Sequence, residues 1–409
     1  MSTVVHPGDS LTRRERAVYV IVLGALTALG PFTIDLYLPA FPQVEADLDV
    51  STAVIQLTLT ATTIGFAFGQ LLVGPWSDTV GRRLPLILAT SVHVLASLGV
   101  ALAPDITWLL AFRVLQGFGA AAGGVVAMAT VRDLFGGYPL VRMLSRLSLV
   151  NGLAPILAPV LGSQLLLVMP WRGLFVVLSA YGVVILIAAS LLIVETLPRA
   201  RRVDKGHATI RDRYRVLFAD RVFIGVALIG GMSFSGLFAY LSASPFLFQD
   251  IYGLDPQGYG LLFAMNSIGV VAGVQISSRL AKRIPPQWIL SVSTLVLLGS
   301  SLAIIVLDLA GAGFWGTVVP LWFFITACGF GFPMVQALAL ANHGKEAGTA
   351  ASLLGAMNFG LAGLLSPIVG LFGISSAVPM GTVMAATSVM SIASLWLIVR
   401  PRTVPALAR

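Results

Sequence analysis

Twelve apolar stretches, each long enough to cross a bilayer, constrain this chain more than any motif does. A membrane-spanning helix needs about 20 predominantly apolar residues. Such stretches fall at 17–41, 53–76, 84–103, 107–131, 143–168, 172–194, 222–247, 257–279, 287–308, 314–340, 349–372 and 378–399. Hydrocarbon offers backbone amides no water, so each stretch is expected to be helical, and Gly or Pro within them is tolerated where neighbours re-satisfy the backbone. The composition agrees: 57% of the 409 residues are hydrophobic and 10% are charged, where a soluble chain carries about 25% charged residues. The expected fold is an all-α membrane protein of twelve transmembrane helices.

The charges predict the topology. With both termini on one side, that side collects all 25 Lys and Arg residues except Arg172, which falls opposite, and Arg113, which lies inside a span. Basic residues concentrate in cytoplasmic loops, so both termini are expected in the cytoplasm and the protein in the inner (cytoplasmic) cell membrane. The acidic segment 45–49, Asp105, Asp250, Asp255 and Asp308 fall on the other side. The net charge of +8 is thus a topology signal, and no nucleic-acid partner is expected. The polar segment 195–221 divides the chain into a tail (1–16), a six-helix bundle (17–194), a cytoplasmic linker with room for a short surface helix (195–221), a second bundle (222–400) and a tail (401–409). The polar start "MSTVVHPGDSLTRRER" lacks a signal-peptide pattern.

Several chemistries find no support. Cys328 is the only cysteine and His6, His93, His207 and His343 are scattered, so neither an internal disulfide nor a metal site is expected. His93, inside an apolar helix, reads as a packed or hydrogen-bonded side chain. There is no phosphate loop, since Lys345 is followed by Glu346 and position 339 is Ala, which argues against direct ATP use. No nucleophile–base arrangement stands out. No catalytic residue and no cofactor are assigned, and a membrane-embedded enzyme is the remote alternative.

The two halves echo each other. "RRLP" at 82–85 returns as "KRIP" at 282–285, "APVLG" at 158–162 as "SPIVG" at 366–370, and "LYLPAFP" at 36–42 as "AYLSASP" at 239–245. Duplicated halves are a transporter construction that places the substrate between them, near the midplane. At the third echo the residue matching Asp35 is Phe238. A carboxylate needed only for folding such a half would be expected in both copies, so the asymmetry points to a task of one half.

Burying a carboxylate favours its neutral form, and Asp and Glu serve as proton sites in transporters for that reason. Asp35 is expected to be such a site. The alternative is that it meets water near the outer interface or caps a kink before Pro39. Arg113 is the only basic residue inside a span and needs a partner. Asp35 is the plausible acid in the same half; a static ion pair, or binding to backbone carbonyls, are the other readings.

At this point the motifs resemble a known family. "GPWSDTVGRRLP" (74–85) is similar to the helix 2–3 loop of major facilitator transporters, "FRVLQGFGAAAGG" (112–124) to their helix-4 motif, and "LAPILAPVLG" (153–162) to the helix-5 motif of drug/proton antiporters. "IDLYLPAFP", "VRDLF" (131–135), "WRGLF" (171–175), "ETLP" (195–198), "FAYLSASPFLF" (238–248) and "AGTAASLLGA" (347–356) together resemble the Bcr/CflA branch, the bicyclomycin and chloramphenicol resistance exporters. The likeness spans about residues 17–400. Two departures stand out: Thr79 where the loop usually has a base, and Thr27 where some relatives have a second acid.

The resemblance implies two pseudo-symmetric six-helix bundles in the major facilitator fold, acting as a monomer. It implies export of a small lipophilic compound, driven by the proton gradient through Asp35 and Arg113. Gating is implied for Gly74, Asp78, Gly81, Arg82 and Arg83, with Asp78 facing a helix N-terminus or an Arg of the second half when the inside is closed, and Arg132 and Asp133 joining the cluster. Pro155, Pro159 and Gly162 are implied to bend helix 5. Large apolar groups suit adaptable binding, which makes Tyr37, Met128, Phe238, Tyr240, Trp322, Phe330 and Met334 candidate substrate contacts. Asn151, Asn266 and Asn358 join them, because amides in a membrane face protein or a water-filled cavity. Transport of a metabolite such as an amino acid is the alternative within the same class.

Overall fold

The computed structural model describes residues 11–199, 210–341 and 347–404, together with Gly8, Arg202 and His343. Much of both expected tails, the centre of the expected linker, His6, His207 and Lys345 lie outside the described residues. Among the described residues twelve helical segments are long and apolar enough to cross a membrane. Their α-helices are α1 (Arg13–Asp35), α2 (Thr52–Val80), α3 (Arg83–Ala101), α4 (Ile106–Leu134), α5 (Gly137–Leu165), α6 (Trp171–Leu192), α7 (Arg221–Phe246), α8 (Pro256–Leu280), α9 (Pro286–Leu309), α10 (Gly313–Leu340), α11 (Ala347–Leu365) and α12 (Val378–Ala393), the last continued to Thr403 by π- and 3₁₀-helical turns. Among the described residues there is no strand. The chain is an all-α, multi-pass membrane protein.

Local chemistry sets the ends of the helices. Thr12 and Glu15 form a reciprocal capping box at α1. Asp105, Asp220 and Asp255 cap α4, α7 and α8 by accepting from backbone N–H groups of Thr107 and Trp108, Val222 and Gly258. The short helix Ile210–Ala219 lies between α6 and α7.

One element departs from expectation. The first apolar stretch does not run as one helix to 41. It stops at Asp35, passes through a 3₁₀ turn at Leu38–Ala40, and resumes as a short helix, Phe41–Leu48. Pro39 has no N–H to continue the α-helical ladder. In the second half Ser242 stands at that place, keeps its N–H, and α7 continues unbroken to Phe246.

The repeat is a repeat of packing. In the first half α4 packs on α2 and α3, α1 packs on α4, α5 and α6, and α3 packs on α6. Adding six to each number gives the neighbours found in the second half. Small residues make the closest approaches. Gly65 and Gly117 face the carbonyls of Val114 and Thr62 between α2 and α4, and Gly273 and Gly329 face those of Thr326 and Val270 between α8 and α10. This register places Ile325 opposite Arg113, so both charged positions of the first half are apolar in the second.

The most extensive contacts between the halves are α2 with α11 and α5 with α8. The hydrogen bonds between the halves gather away from the termini. Gln56 Nε2 donates to Ser242 O (3.1 Å), Thr60 Oγ1 to Gly363 O (2.9 Å), Gln249 Nε2 to Pro39 O (3.1 Å) and Gln257 Nε2 to Ser163 O (2.8 Å). A fifth lies nearer the middle of α5, from Ser267 Oγ to Pro155 O (3.4 Å). Pro159 lacks the N–H that would have taken the Pro155 carbonyl within the helix, so the proline pair frees an acceptor for the other half. Nearer the termini Asn151 and Leu149 of α5 are exposed. The bundle is closed at the end away from the termini.

Candidate functional site

Asp35 sits where α1 breaks, between the halves, and is 5% exposed. Among the described residues no ion pair reaches it. It lies within electrostatic range of Tyr240 and Tyr259 of the second half. Those tyrosines belong to a buried polar cluster of the second half. Tyr259 shares a hydrogen bond with Ser244 (2.9 Å), and Asn266 Nδ2 donates to the Tyr240 hydroxyl (3.1 Å), while the buried Asn266 Oδ1 has no partner. Tyr240 and Asn266, expected from the sequence, thus stand across from Asp35; Tyr259 and Ser244 were missed.

The expected Asp35–Arg113 ion pair is not formed. Arg113 is fully buried on α4, donating from Nη1 to Thr33 O (3.0 Å) and Gln116 Oε1 (2.7 Å). Its guanidinium lies over the Tyr37 ring at 4.3 Å and the Phe175 ring at 5.5 Å, contacts that hold a cation by the ring quadrupole. The guanidinium is engaged wholly within the first half, whereas Asp35 lies within electrostatic range of Tyr240 and Tyr259 of the second. Arg113 Nε and Nη2 have no partner. Gln116 Nε2 continues the network to Ser97 Oγ (2.8 Å), and His93 Nδ1 reaches Gln116 O (3.2 Å).

The other substrate candidates scatter. Tyr37 is buried in the first half, hydrogen-bonded to Thr58 and packed on Phe41 and Phe175. It supports Arg113 rather than lining a cavity. Phe238 belongs to an aromatic group between the halves: Phe66 stacks on Phe359 at 4.8 Å, and Phe234 contacts Phe238 (4.8 Å), Phe359 (5.1 Å) and Phe332 (6.0 Å). Asn358 Oδ1 is buried without a partner. Met128 is half-buried against the core of the first half and Met334 is buried in that of the second. Trp322 and Phe330 line a separate groove over α10. Composition does not distinguish an aromatic facing lipid from one facing a cavity, and single sequence echoes of Phe66, Phe234 and Phe359 carried no signal.

Gly162 explains its motif. A side chain there would collide with the Leu36 carbonyl, one residue past Asp35. Gly162→Val should force α5 away from the helix break. Overpacking of this kind costs about 1–3 kcal/mol, so a lower Tm and impaired transport are expected; unchanged values for both would show that the contact is dispensable.

At the termini end, Arg82 is the hub of the loop between α2 and α3. It is 7% exposed and bonds Asp133 through Nε (2.8 Å), and Asp78 Oδ1 (2.5 Å) and Ser77 Oγ (2.7 Å) through Nη1. Burial alone would lower the Arg82 pKa, but Asp133 and Asp78 hold it above the usual value. Asp78 was expected to face the second half when the inside is closed; in this structure, closed at the other end, it is engaged by Arg82, four residues on in its own loop. Arg132 is exposed and stays outside the cluster, whereas Asp133 joins it. Gly81, at φ +104°, lets the chain turn. Gly74 faces Ser352 of α11.

Glu195 completes this cluster and was read only as part of a family motif. Its carboxylate accepts from the backbone N–H groups of Arg82 (2.9 Å) and Arg83 (3.2 Å). Burial pushes its pKa up, but backbone donors from Arg82, Leu197 and Arg83 outweigh this and hold it below the usual value. A lowered folded-state value means that the tie stabilises above the ordinary carboxylate range and is lost as pH falls through it. Amides of 81–83 should exchange hydrogen faster as pH drops through that range, after correction for intrinsic rates, and Glu195→Gln should remove the dependence. A wild-type profile matching the variant's would refute this.

The comparisons with known proteins agree with this architecture. The sequence model of the Major Facilitator Superfamily matches residues 23–367 and 243–408. An uncharacterized MFS-type transporter, YdgK of Bacillus subtilis, is 36% identical over 381 residues, covering 93% of this chain and 94% of the relative. A bicyclomycin resistance protein homolog of Haemophilus influenzae is 30% identical over 93% of this chain and 96% of its own. The multidrug resistance protein MdtL of Vibrio parahaemolyticus is 30% identical over 92% and 94%. Among solved structures, a partially occluded inward-open conformation of the Escherichia coli xylose transporter XylE superposes with a TM-score of 0.75 at 11% identity, covering 96% of this chain and 98% of that one. Matching in sequence across most of its length and in the arrangement of twelve helices, this chain belongs to the Major Facilitator Superfamily of transporters, which are not enzymes.

Proposed function

We propose that the chain is a proton-coupled antiporter that exports small lipophilic compounds across the cytoplasmic membrane by alternating access, as a monomer with both termini in the cytoplasm. The observation that carries this reading is Asp35: a buried carboxylate at a helix break between the halves, without an ionic partner. A group so placed can exchange its proton when the opposite end opens. The basic residues support the orientation, and relatives named for bicyclomycin and multidrug resistance support the substrate class. The phenylalanines between the halves offer an apolar, adaptable surface, and Asn266 and Asn358 offer unpartnered acceptors to orient a ligand. Drug capture from the cytoplasm would accompany loss of the Asp35 proton, and protonation from outside would accompany release.

Reconstitution in proteoliposomes with an imposed pH gradient tests this. Lipophilic antibiotics are expected to move against protons, and each should trigger a proton flux of opposite direction. Flux in the same direction, or flux with amino acids alone, would replace the proposal with symport or metabolite transport.

A further inference from the structure

We propose that the groove over α9 and α10 binds one anionic phospholipid, with an acyl chain lying along α10 and the phosphate held by Arg279, Lys282 and Arg283. The helix α9 packs on α10, and a groove of about 550 Å³ runs over the two, with Leu280 at the end of α8 and Ile284 after it joining the lining. Ile284, Trp288, Val292, Trp322, Phe323 and Phe330 contribute to its walls. The two hydroxyls in the lining are already turned to the backbone: Ser293 Oγ donates to Ala327 O and Thr326 Oγ1 to Trp322 O, both at 2.8 Å. The walls therefore suit a hydrocarbon occupant. Along α9 the lining runs from Trp288 to Val296, about 12 Å at 1.5 Å per residue. One leaflet of the hydrocarbon core is about 15 Å deep.

The mouth of the groove is basic. Arg279, Lys282 and Arg283 are exposed, and among the described residues none forms an ion pair. The positive end of α9 opens beside them, at Pro286. The internal repeat sharpens the point. "RRLP" of the first half matches "KRIP" here, but Arg82 is taken by Asp78 and Asp133, and Arg83 by the Ser190 carbonyl (2.7 Å). The second-half bases lack such partners. Basic groups near an anionic leaflet gain from its headgroups. A neutral drug would not need them, and a second copy packed symmetrically on this face would bring like charges together.

Tryptophan fluorescence of the full chain in vesicles tests the site, with Trp288→Phe and Trp322→Phe variants to assign the signal. Phosphatidylglycerol brominated on its acyl chains should quench Trp288 and Trp322 more strongly than brominated phosphatidylcholine at equal mole fraction. Each base removed, by Lys282→Gln or Arg283→Gln, should lower that preference about fivefold, and Arg402→Gln should leave it unchanged. Equal quenching by the two lipids, a preference that survives the double variant, or a chain dimer that shields both tryptophans would overturn the proposal. The readout needs no transport, so failure of the antiport reading and failure of this site are separate results.

Discussion

Asp35→Asn is expected to abolish uphill, gradient-driven export while leaving downhill substrate exchange intact. Asn keeps the shape of the side chain and removes its proton chemistry. The wild-type carboxylate is almost fully buried and lies within electrostatic range of Tyr240 and Tyr259 of the second half. In a chain whose other span-interior charge, Arg113, is held by a carbonyl, an amide and aromatic faces, no second acid is placed to take over. Accumulation against a gradient should fall to the level of empty vesicles, whereas exchange of labelled for unlabelled substrate at equal pH should continue. Near wild-type accumulation by a well-folded variant would sink the assignment of Asp35 as the proton site.

Arg82→Ala should be the most destabilising single change at the termini end. Removing it strands Asp133, 16% exposed at its side chain, and leaves the more open Asp78 and the Ser77 hydroxyl without their donor. Breaking a buried ion pair by deleting one partner costs about 3–5 kcal/mol, and the exposure of Asp78 places this case at the lower end. Thermal unfolding in detergent should show a clear drop in Tm. Adding Asp133→Asn should recover part of the loss, because the stranded charge goes with it. If the two changes simply add, the pair contributes nothing beyond its separate residues. Arg82→Lys should rescue poorly, since an ammonium lacks the planar fork that serves Asp133 and Asp78 together.

How much of this was legible depends on where the information resides. The twelve spans were readable because burial in lipid imposes a length and a composition. The repeat was readable at three echoes, and packing extended it to every helix pair. The break after Asp35 had a visible cause in Pro39, which the sequence offered only as a kink, because a proline within an apolar run in lipid is often no more than that. The partner of Arg113 was misjudged for a different reason: the Thr33 carbonyl belongs to the backbone, and no residue type advertises a main-chain acceptor. Glu195 stood in plain view but acts on amides of a loop more than a hundred residues away. Trp322 was assigned to the centre because lipid-facing and cavity-facing aromatics look alike in one dimension.

The four hydrogen bonds that close the end away from the termini share a property. Every donor is an uncharged amide or hydroxyl, and every acceptor is a main-chain carbonyl. Water can replace such bonds nearly one for one, so each contributes only about 0.5–1.5 kcal/mol net. Dissolved ions have little to screen there, in contrast to the charged cluster around Arg82. The two ends should therefore differ in kind: the far one is a neutral clasp between the halves whose opening frequency is nearly blind to ionic strength, whereas the near one carries an ion-paired cluster within the first half that salt loosens. Deeper in the bundle the same neutrality holds: the carbonyl that Pro159 leaves free at Pro155 meets only the Ser267 hydroxyl, whose single proton it shares with Phe263 O of the hydroxyl's own helix.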